Sequence, residues 1–258
     1  MVIDGHFHVW PDAIAQRALG NPSAELKRFG DGTVGGATAV LDGAGIDRAV
    51  CLCIANVAEH VESVNRFAGS LDRERFIGFG TIHPDLSVEA NLASLRENRL
   101  HGVKVHPLFQ GFALDDPGLG EILDALQGEF PIIVHVGHGG EGAERCTPAM
   151  LRDLAARFPR LDVIACHFGG YKLLDEAEEQ VIGLPVYVDT SWPPGLASID
   201  PDRVRRLIER HGPERVIFAS DWPMADPAAD LAAVRGLGLP AEDEAAVLGG
   251  NLERLLRL

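Results

Sequence analysis

The sequence is poor in basic residues relative to acidic ones. Its 258 residues include 23 lysines and arginines against 38 aspartates and glutamates, which gives a formal net charge of −15. Because Lys and Arg supply most of the attraction to nucleic acids and anionic membranes, this balance argues against both as partners. It does not argue against an anionic small-molecule substrate, since a bound cation can reverse the local field.

Long hydrophobic runs and a cysteine framework are missing as well. No run reaches the roughly 18 apolar residues of a transmembrane helix, and the N-terminus lacks the basic and apolar segments of a secretory signal. Four cysteines are too few for a disulfide framework in a chain of this length: Cys51, Cys53, Cys146 and Cys166. We therefore expect a cytoplasmic protein whose partner is a small molecule. The sequence leaves homo-oligomer formation open.

Eight short apolar runs alternate with longer segments of helical period. After the first run, their starts recur about every 30 residues, which is the spacing of a βαβ unit. The predicted strands are Val2–Asp4, Ala49–Ile54, Phe76–Ile82, Gly102–His106, Pro131–Val136, Asp162–His167, Pro185–Asp189 and Arg215–Ser220.

Several of the segments between these runs begin with a helix cap followed by proline, as in Asp116-Pro117, Thr147-Pro148 and Asp200-Pro201. The predicted helices are Thr33–Gly43, Ser87–Asn98, Gly118–Gln127, Ala149–Phe158, Asp202–His211 and Asn251–Leu258. Eight strands alternating with helices predict one α/β domain over residues 1–258, a (β/α)8 TIM barrel. A doubly wound open sheet is the alternative, but it usually carries a glycine-rich phosphate loop after its first strand, and none is present here.

Two histidines separated by one residue follow the first apolar run, in Asp4-Gly5-His6-Phe7-His8. On an extended strand, alternate side chains point to the same face, so His6 and His8 point the same way. Two imidazoles on one face form half of a metal site, although an isolated His-x-His pair is more often incidental. The remaining ligands would have to come from later strands.

Polar residues recur at the ends of the predicted strands, which a barrel brings to one rim where active sites of this fold lie. They are His6 and His8 after the first run, Lys104 and His106 in the fourth, His135 in the fifth and His138 just after it, His167 in the sixth, and Asp221 directly after the eighth. Lys104 is notable because a lysine between valines is rarely buried unless it is paired or modified. His106 is interpreted as the residue that closes its strand, and His60, His101 and His211 are expected at the surface.

The chemistry follows from the types of residue collected there. His6, His8, His135 and Asp221 would hold one divalent ion and leave a position open for water. Such an ion lowers the pKa of that water to about 7, and Asp221 could carry the proton to a leaving group. His167 would bind a second ion or donate to the oxyanion of the substrate.

With these residues assembled, the chain resembles the amidohydrolase superfamily, in particular the amidohydrolase-related group of metal-dependent hydrolases and decarboxylases. The resemblance covers nearly the whole chain. Its motifs are Asp4–His8, Gly102–Pro107, His135, His167–Gly170, Ser220–Pro223 and the closing Gly249–Leu256.

The resemblance implies His6, His8, His135 and Asp221 as metal ligands, and His167 as a ligand or catalytic histidine. In members with two ions, a lysine at the position of Lys104 is carboxylated and bridges them. The expected cofactor here is one zinc ion, with two ions and a carboxylated Lys104 as the alternative. With one ion, Lys104 would be a cation for the carboxylate or oxyanion of the substrate.

The leading functional hypothesis is hydrolysis of a small-molecule amide or lactone, with Asp221, His167 and Lys104 as catalytic residues. Metal-dependent decarboxylation of an aromatic or unsaturated acid on the same ligands is the alternative. A metal-dependent deoxyribonuclease is disfavoured by the net charge, and a non-catalytic metal-binding protein by the presence of both Asp221 and His167.

Substrate specificity is expected to depend on the loops of the rim. The first of these, Pro11–Gly32, is long and lacks a regular pattern, so it is a candidate lid or substrate wall. His138 lies in a glycine-rich loop where it could contact substrate. Trp192 and Trp222 would be apolar walls for a planar substrate, with plain loop packing as the alternative.

Overall fold

The computed structural model of the chain describes residues 1–20 and 28–258. In that part of the chain, eight parallel strands follow one another in one sheet in the order β1 to β8, with helices between them. The fold is therefore the predicted (β/α)8 barrel. The strands are β1 Ile3–Phe7, β2 Arg48–Leu52, β3 Phe76–Thr81, β4 Gly102–Val105, β5 Ile132–Val134, β6 Val163–Ala165, β7 Tyr187–Asp189 and β8 Val216–Ile217.

The six predicted helices are present, each with bounds within two residues of the prediction, and the structure contains further helices that were not predicted. Side-chain caps open several of them, as where Thr147 accepts from the backbone N–H of Met150, and where Asp200 accepts from those of Asp202 and Arg203. The helices of the described residues are α1 Asp12–Ala18, α2 Val34–Ala44, α3 Val61–Ser70, α4 Val88–Glu97, α5 Pro107–Gln110, α6 Pro117–Leu126, α7 Pro148–Arg157, α8 Leu174–Gln180, α9 Pro201–His211, α10 Pro227–Gly236, α11 Ala241–Ala245 and α12 Asn251–Leu256. None of them is long and apolar enough to cross a bilayer.

Three predicted segments differ from the structure. The first strand extends to Phe7 rather than ending at Asp4, with an irregular register to β2 between Asp4 and Phe7. The loop Pro11–Gly32 is not irregular throughout, because helix α1 lies inside it, and residues 21–27 of that prediction lie outside the described residues. Strand β8 covers only two residues of the predicted run.

The chain divides into two compact units. One contains both chain ends and is called the terminal unit here: Met1–Cys51, Asp72–Ile77 and Asp189–Leu258. The other is called the central unit: Leu52–Leu71 and Gly78–Val188. The single-domain organisation over residues 1–258 stays a prediction.

In the terminal unit, the chain after β8 hydrogen-bonds to β1. The Gly5 N–H donates to the Phe218 carbonyl at 2.8 Å, and the Asp221 N–H donates to the His6 carbonyl at 2.9 Å. A Cβ at Gly5 would lie 2.5 Å from Cγ2 of Ile217, so glycine allows this close approach. The pairing brings the His-x-His motif beside Asp221, more than two hundred positions later in the sequence.

Candidate metal centre

Three predicted ligands of the terminal unit converge on one point. Nε2 of His6 lies 3.1 Å from Nε2 of His8, and Oδ1 of Asp221 lies 3.4 Å and 3.3 Å from these two nitrogens. His6 and Asp221 are buried and His8 is partly exposed. Of the predicted site residues, these three are therefore neighbours in space.

This spacing fits a divalent ion. Atoms that each lie about 2.1 Å from one ion, at right or tetrahedral angles, are about 3.0–3.4 Å from one another. The three observed distances fall in that range. Two imidazole nitrogens and a carboxylate oxygen are also a donor set that zinc and related ions accept.

The backbone of Asp221 has a conformation that is uncommon for residues other than glycine. Its φ is +68°, in the left-handed region, which aspartate tolerates better than most side chains do. The N–H of Asp221 is bonded to His6, and its carbonyl accepts from the Met224 N–H at 2.8 Å. Residues held in such conformations are concentrated at functional sites.

A second carboxylate, Asp189, orients His6. Oδ2 of Asp189 lies 2.9 Å from Nδ1 of His6, and its Oδ1 accepts from the hydroxyl of Ser191 at 2.6 Å. A carboxylate next to Nδ1 favours the tautomer in which Nδ1 carries the hydrogen and Nε2 presents its lone pair. Asp189 was not predicted as a site residue, although a carboxylate as the last residue of β7 was a usable signal.

Two further carboxyl groups are buried in the terminal unit. Burial raises the pKa of Asp4 to about 7, although the Ser220 hydroxyl and the backbone N–H groups of His6 and Ser220 lower it in part. Burial likewise raises the pKa of Asp230 to about 7, against the effect of the Leu196 N–H that it accepts at 2.8 Å. The negative charges of Asp226 and Asp221 add to the rise at Asp230. Both are therefore partly protonated near neutral pH.

The central unit brings together His135 and His167. Nε2 of His135 lies 3.0 Å from the carbonyl oxygen of Gly137. Because a carbonyl only accepts, Nε2 carries the hydrogen, and the lone pair of the neutral ring is on Nδ1. Nδ1 of His135 lies 3.1 Å from Nε2 of His167, whose φ of +60° is again left-handed. A backbone group therefore determines which nitrogen of His135 presents its lone pair.

Lys104 is fully buried in β4, and its Nζ donates to Sγ of Cys166 at 3.1 Å. The burial agrees with the sequence-based expectation that this lysine would be paired or modified. The thiol partner was not expected, because no role was assigned to Cys166 from the sequence. The catalytic and bridging roles of Lys104 stay predictions.

The predicted substrate-binding residues differ in their surroundings. His138 and Trp192 are half-buried in loops that follow β5 and β7. Trp222 is 1% exposed and stacks on Phe7 with ring centroids 4.8 Å apart, which is the packing alternative. A substrate contact stays a prediction for all three.

The expectation that His211 lies at the surface was wrong, because its side chain is fully buried on α9.

A sequence-family profile described as amidohydrolase, Amidohydro_2, matches residues 3–258. No curated protein sequence matches the chain significantly. Among solved structures, an uncharacterized TIM-barrel protein from Bordetella bronchiseptica is 17% identical with a TM-score of 0.77, covering 99% of this chain and 98% of that chain. A manganese-bound 5-carboxyvanillate decarboxylase from Novosphingobium aromaticivorans is 17% identical with a TM-score of 0.75, covering 100% and 97%. A protein from Pseudomonas putida proposed to be a 2-pyrone-4,6-dicarboxylic acid hydrolase is 18% identical with a TM-score of 0.69, covering 99% and 97%. At these identities the solved structures are similar in fold.

Proposed function

Since the chain belongs to the amidohydrolase family, we propose that it is a metal-dependent hydrolase that cleaves a small-molecule amide or lactone. The observation that carries the proposal is the convergence of His6, His8 and Asp221, whose ligand atoms lie within 3.4 Å of one another. Three donors at that spacing suit one divalent ion with room for water.

His135 is proposed as the fourth ligand. Its support is the fold, because the C-terminal ends of all strands of a (β/α)8 barrel lie at the same rim. The hydrogen bond from Nε2 to the Gly137 carbonyl also leaves Nδ1 as the ligating nitrogen. Zinc is the proposed ion, and the manganese in the similar decarboxylase makes manganese the metal to compare with it.

A divalent ion bound by these residues would supply a water molecule with a pKa of about 7 and a positive charge for an oxygen of the substrate. Asp221 accepts the proton of the attacking water and delivers it to the departing nitrogen or oxygen. His167 donates from Nε2 to the oxygen that becomes negative as the carbonyl is attacked. Lys104 is proposed to add positive charge in the same region, which favours an anionic substrate.

Decarboxylation of an aromatic or unsaturated carboxylic acid is the second candidate. It is favoured by the decarboxylases among the proteins of similar fold, including those that act on 5-carboxyvanillate and 2,6-dihydroxybenzoate. The same ligands would serve, and Asp221 or His167 would deliver the proton that replaces the carboxylate.

One assay distinguishes the two reactions. Protein reconstituted separately with zinc and with manganese is incubated with lactones, amides and hydroxylated benzoates, and both ring-opened or cleaved products and carbon dioxide are measured. Hydrolysis that is lost in Asp221→Asn supports the first candidate, whereas release of carbon dioxide without hydrolysis supports the second. Fully metal-loaded protein with neither activity contradicts both.

The number of ions is tested by elemental analysis of wild-type protein and Lys104→Ala. About one ion per chain in both proteins supports the proposed single-ion site. A decrease from two ions to one on removal of Lys104 supports the bridged alternative. Cytoplasmic location and homo-oligomer formation also stay predictions.

A further inference from the structure

Three flat rings lie face to face in the central unit where β4 ends. The His106 ring is nearly parallel to the His135 ring, with centroids 4.0 Å apart and 11° between the planes. Phe109 is equally parallel to His106, with centroids 3.9 Å apart. Two rings at that distance cannot share one face of an imidazole, so His106 lies between Phe109 and His135.

His106 is held in place by its own backbone contacts. Its N–H donates to Oε1 of Gln110 at 2.8 Å, and the buried Gln110 amide donates in turn to the carbonyls of Ile82 at 2.8 Å and Ala55 at 3.2 Å. These carbonyls belong to the chain just after β3 and β2. One glutamine therefore fixes His106 relative to the ends of two neighbouring strands.

His135 is consequently restrained in two directions. The Gly137 carbonyl accepts from its Nε2 at one edge of the ring, and His106 covers one face. A hydrogen bond to one edge still allows the ring to tilt about that contact, whereas a parallel ring at van der Waals distance opposes the tilt.

We propose that His106 is a positioning residue whose ring holds the imidazole of His135 in its metal-binding orientation. The inference rests on the proposed function, in which Nδ1 of His135 is a ligand. Residues that orient a ligand typically change metal affinity by about 10–100-fold when they are removed. From the sequence alone, His106 is interpreted only as the residue that closes its strand.

His83 provides a matched control. It is also a histidine of the central unit close to a strand end, two residues after β3, and it is as buried as His106, at 6% exposed for each. Its ring meets Phe112 edge-on, with centroids 5.7 Å apart and 86° between the planes. Removing it tests the cost of losing a buried imidazole without removing a stack on His135.

The test is the dissociation constant of Mn²⁺, measured by titration of metal-free protein in competition with a chelator. We expect His106→Ala to weaken binding by about 10-fold or more, and His106→Phe, which keeps a flat ring, to stay within about 3-fold of wild type. His106→Leu fills the volume without a ring plane and should weaken binding as alanine does. His83→Ala should bind like wild type, and thermal unfolding checks that each variant is folded.

Unchanged Mn²⁺ affinity in folded His106→Ala or His106→Leu overturns the inference. Equal losses in His106→Phe and His106→Ala also overturn it, because the histidine would then act through its nitrogens. An equal loss in His83→Ala would assign the effect to general packing. His135→Ala separates these results from the proposed function: if that variant binds Mn²⁺ normally, His135 is not a ligand and the proposed metal site itself is wrong.

Discussion

The two units orient the histidines of the proposed metal site by different means. In the carboxylate cluster of the terminal unit (His6, His8, Asp189 and Asp221), an acidic side chain holds the ring of His6 at 2.9 Å. In the ring cluster of the central unit (His106, Phe109, His135 and His167), a backbone carbonyl holds the edge of His135 and a stacked ring covers its face. One cluster depends on charge and the other on shape.

This difference has consequences for how each cluster responds to change. A carboxylate bound to an imidazole strengthens the basicity of the ring, so the carboxylate cluster should be sensitive to substitutions that remove charge at constant size. A backbone carbonyl cannot be removed by substituting a side chain. The ring cluster should therefore be sensitive to changes in packing and backbone conformation, and insensitive to isosteric changes of charge.

The largest effect is expected for Asp221→Asn in the carboxylate cluster. The substitution keeps the size of the side chain and removes both the charge of a proposed metal ligand and the group proposed to move the proton. Turnover should fall by a factor of about 10³ or more, and metal retention should fall with it. The measurements are the rate on the best substrate of the panel and the metal content after dialysis.

Asp226→Asn is the control for that variant. Asp226 caps helix α10 through the N–H of Ala228, a role that asparagine also fills. The rate of this variant should equal that of wild type. Equal losses in Asp221→Asn and Asp226→Asn would mean that the charge of the region, and not a specific ligand, supports activity.

The next largest effect is expected for Gly137→Ala, which alters the backbone that holds His135 of the ring cluster. Gly137 has φ +83°, and a Cβ there would lie 2.5 Å from the backbone N and O of Tyr171. An alanine at this position would have a strained backbone, and its Cβ would overlap with Tyr171. Both effects displace the Gly137 carbonyl that orients His135. We expect a loss of about 3 kcal/mol or more in the free energy of unfolding, measured with urea, together with weaker metal binding.

Gly140→Ala is the matched variant. Gly140 also has a positive φ, +105°, but a Cβ at that position would have no other atom within 4 Å. In this variant only the backbone strain lowers the free energy of unfolding, by about 1–2 kcal/mol, and metal binding should be normal. If the two variants are equally stable, the contact with Tyr171 does not constrain the loop.

The sequence predicted most of the fold because the fold depends on patterns that repeat. The alternation of apolar runs and capped helices reports local burial, and caps such as Thr147 are contacts within one turn of the chain. Boundaries were less accurate where tertiary pairing extends a strand. Phe7 belongs to β1 partly because Trp222 bridges to it, which no local pattern could indicate.

The carboxylate cluster was more predictable than the ring cluster for a related reason. Ligand residue types at strand ends can be found in a sequence, and His6, His8 and Asp221 do lie together. Asp189 acts through His6, and His106 acts through a ring contact with His135. Such contacts depend on how side chains pack. Residue type and spacing along the sequence do not specify that packing.

Asp189→Ala tests the charge-based restraint on His6 directly. Without this carboxylate, the tautomer and the rotation of the His6 ring are less restrained. The affinity for Mn²⁺ should therefore fall by about 10–100-fold. Asp189→Asn keeps an oxygen acceptor for Nδ1–H and should lose less. Asp47→Asn, which alters an exposed carboxylate that accepts from the Val2 N–H, should bind the ion like wild type. Equal affinity in Asp189→Ala and wild type would show that the remaining contacts suffice to orient His6.

The smallest effect is expected from Asp230, and it gives the terminal unit a pH dependence. The pKa of Asp230 is about 7 in the folded chain, against 3.8 for an exposed aspartate. Between these values the folded protein holds a proton that the unfolded chain has released, so stability falls as the pH rises from about 4 to about 7. Asp230→Asn keeps an acceptor for the Leu196 N–H and removes this proton. It should therefore be more stable than wild type at pH 8, by about 1–3 kcal/mol, and similar at pH 4. Urea unfolding of both proteins at several pH values measures the difference in the free energy of unfolding. If that difference does not change with pH, Asp230 is ionised at little cost in the folded state.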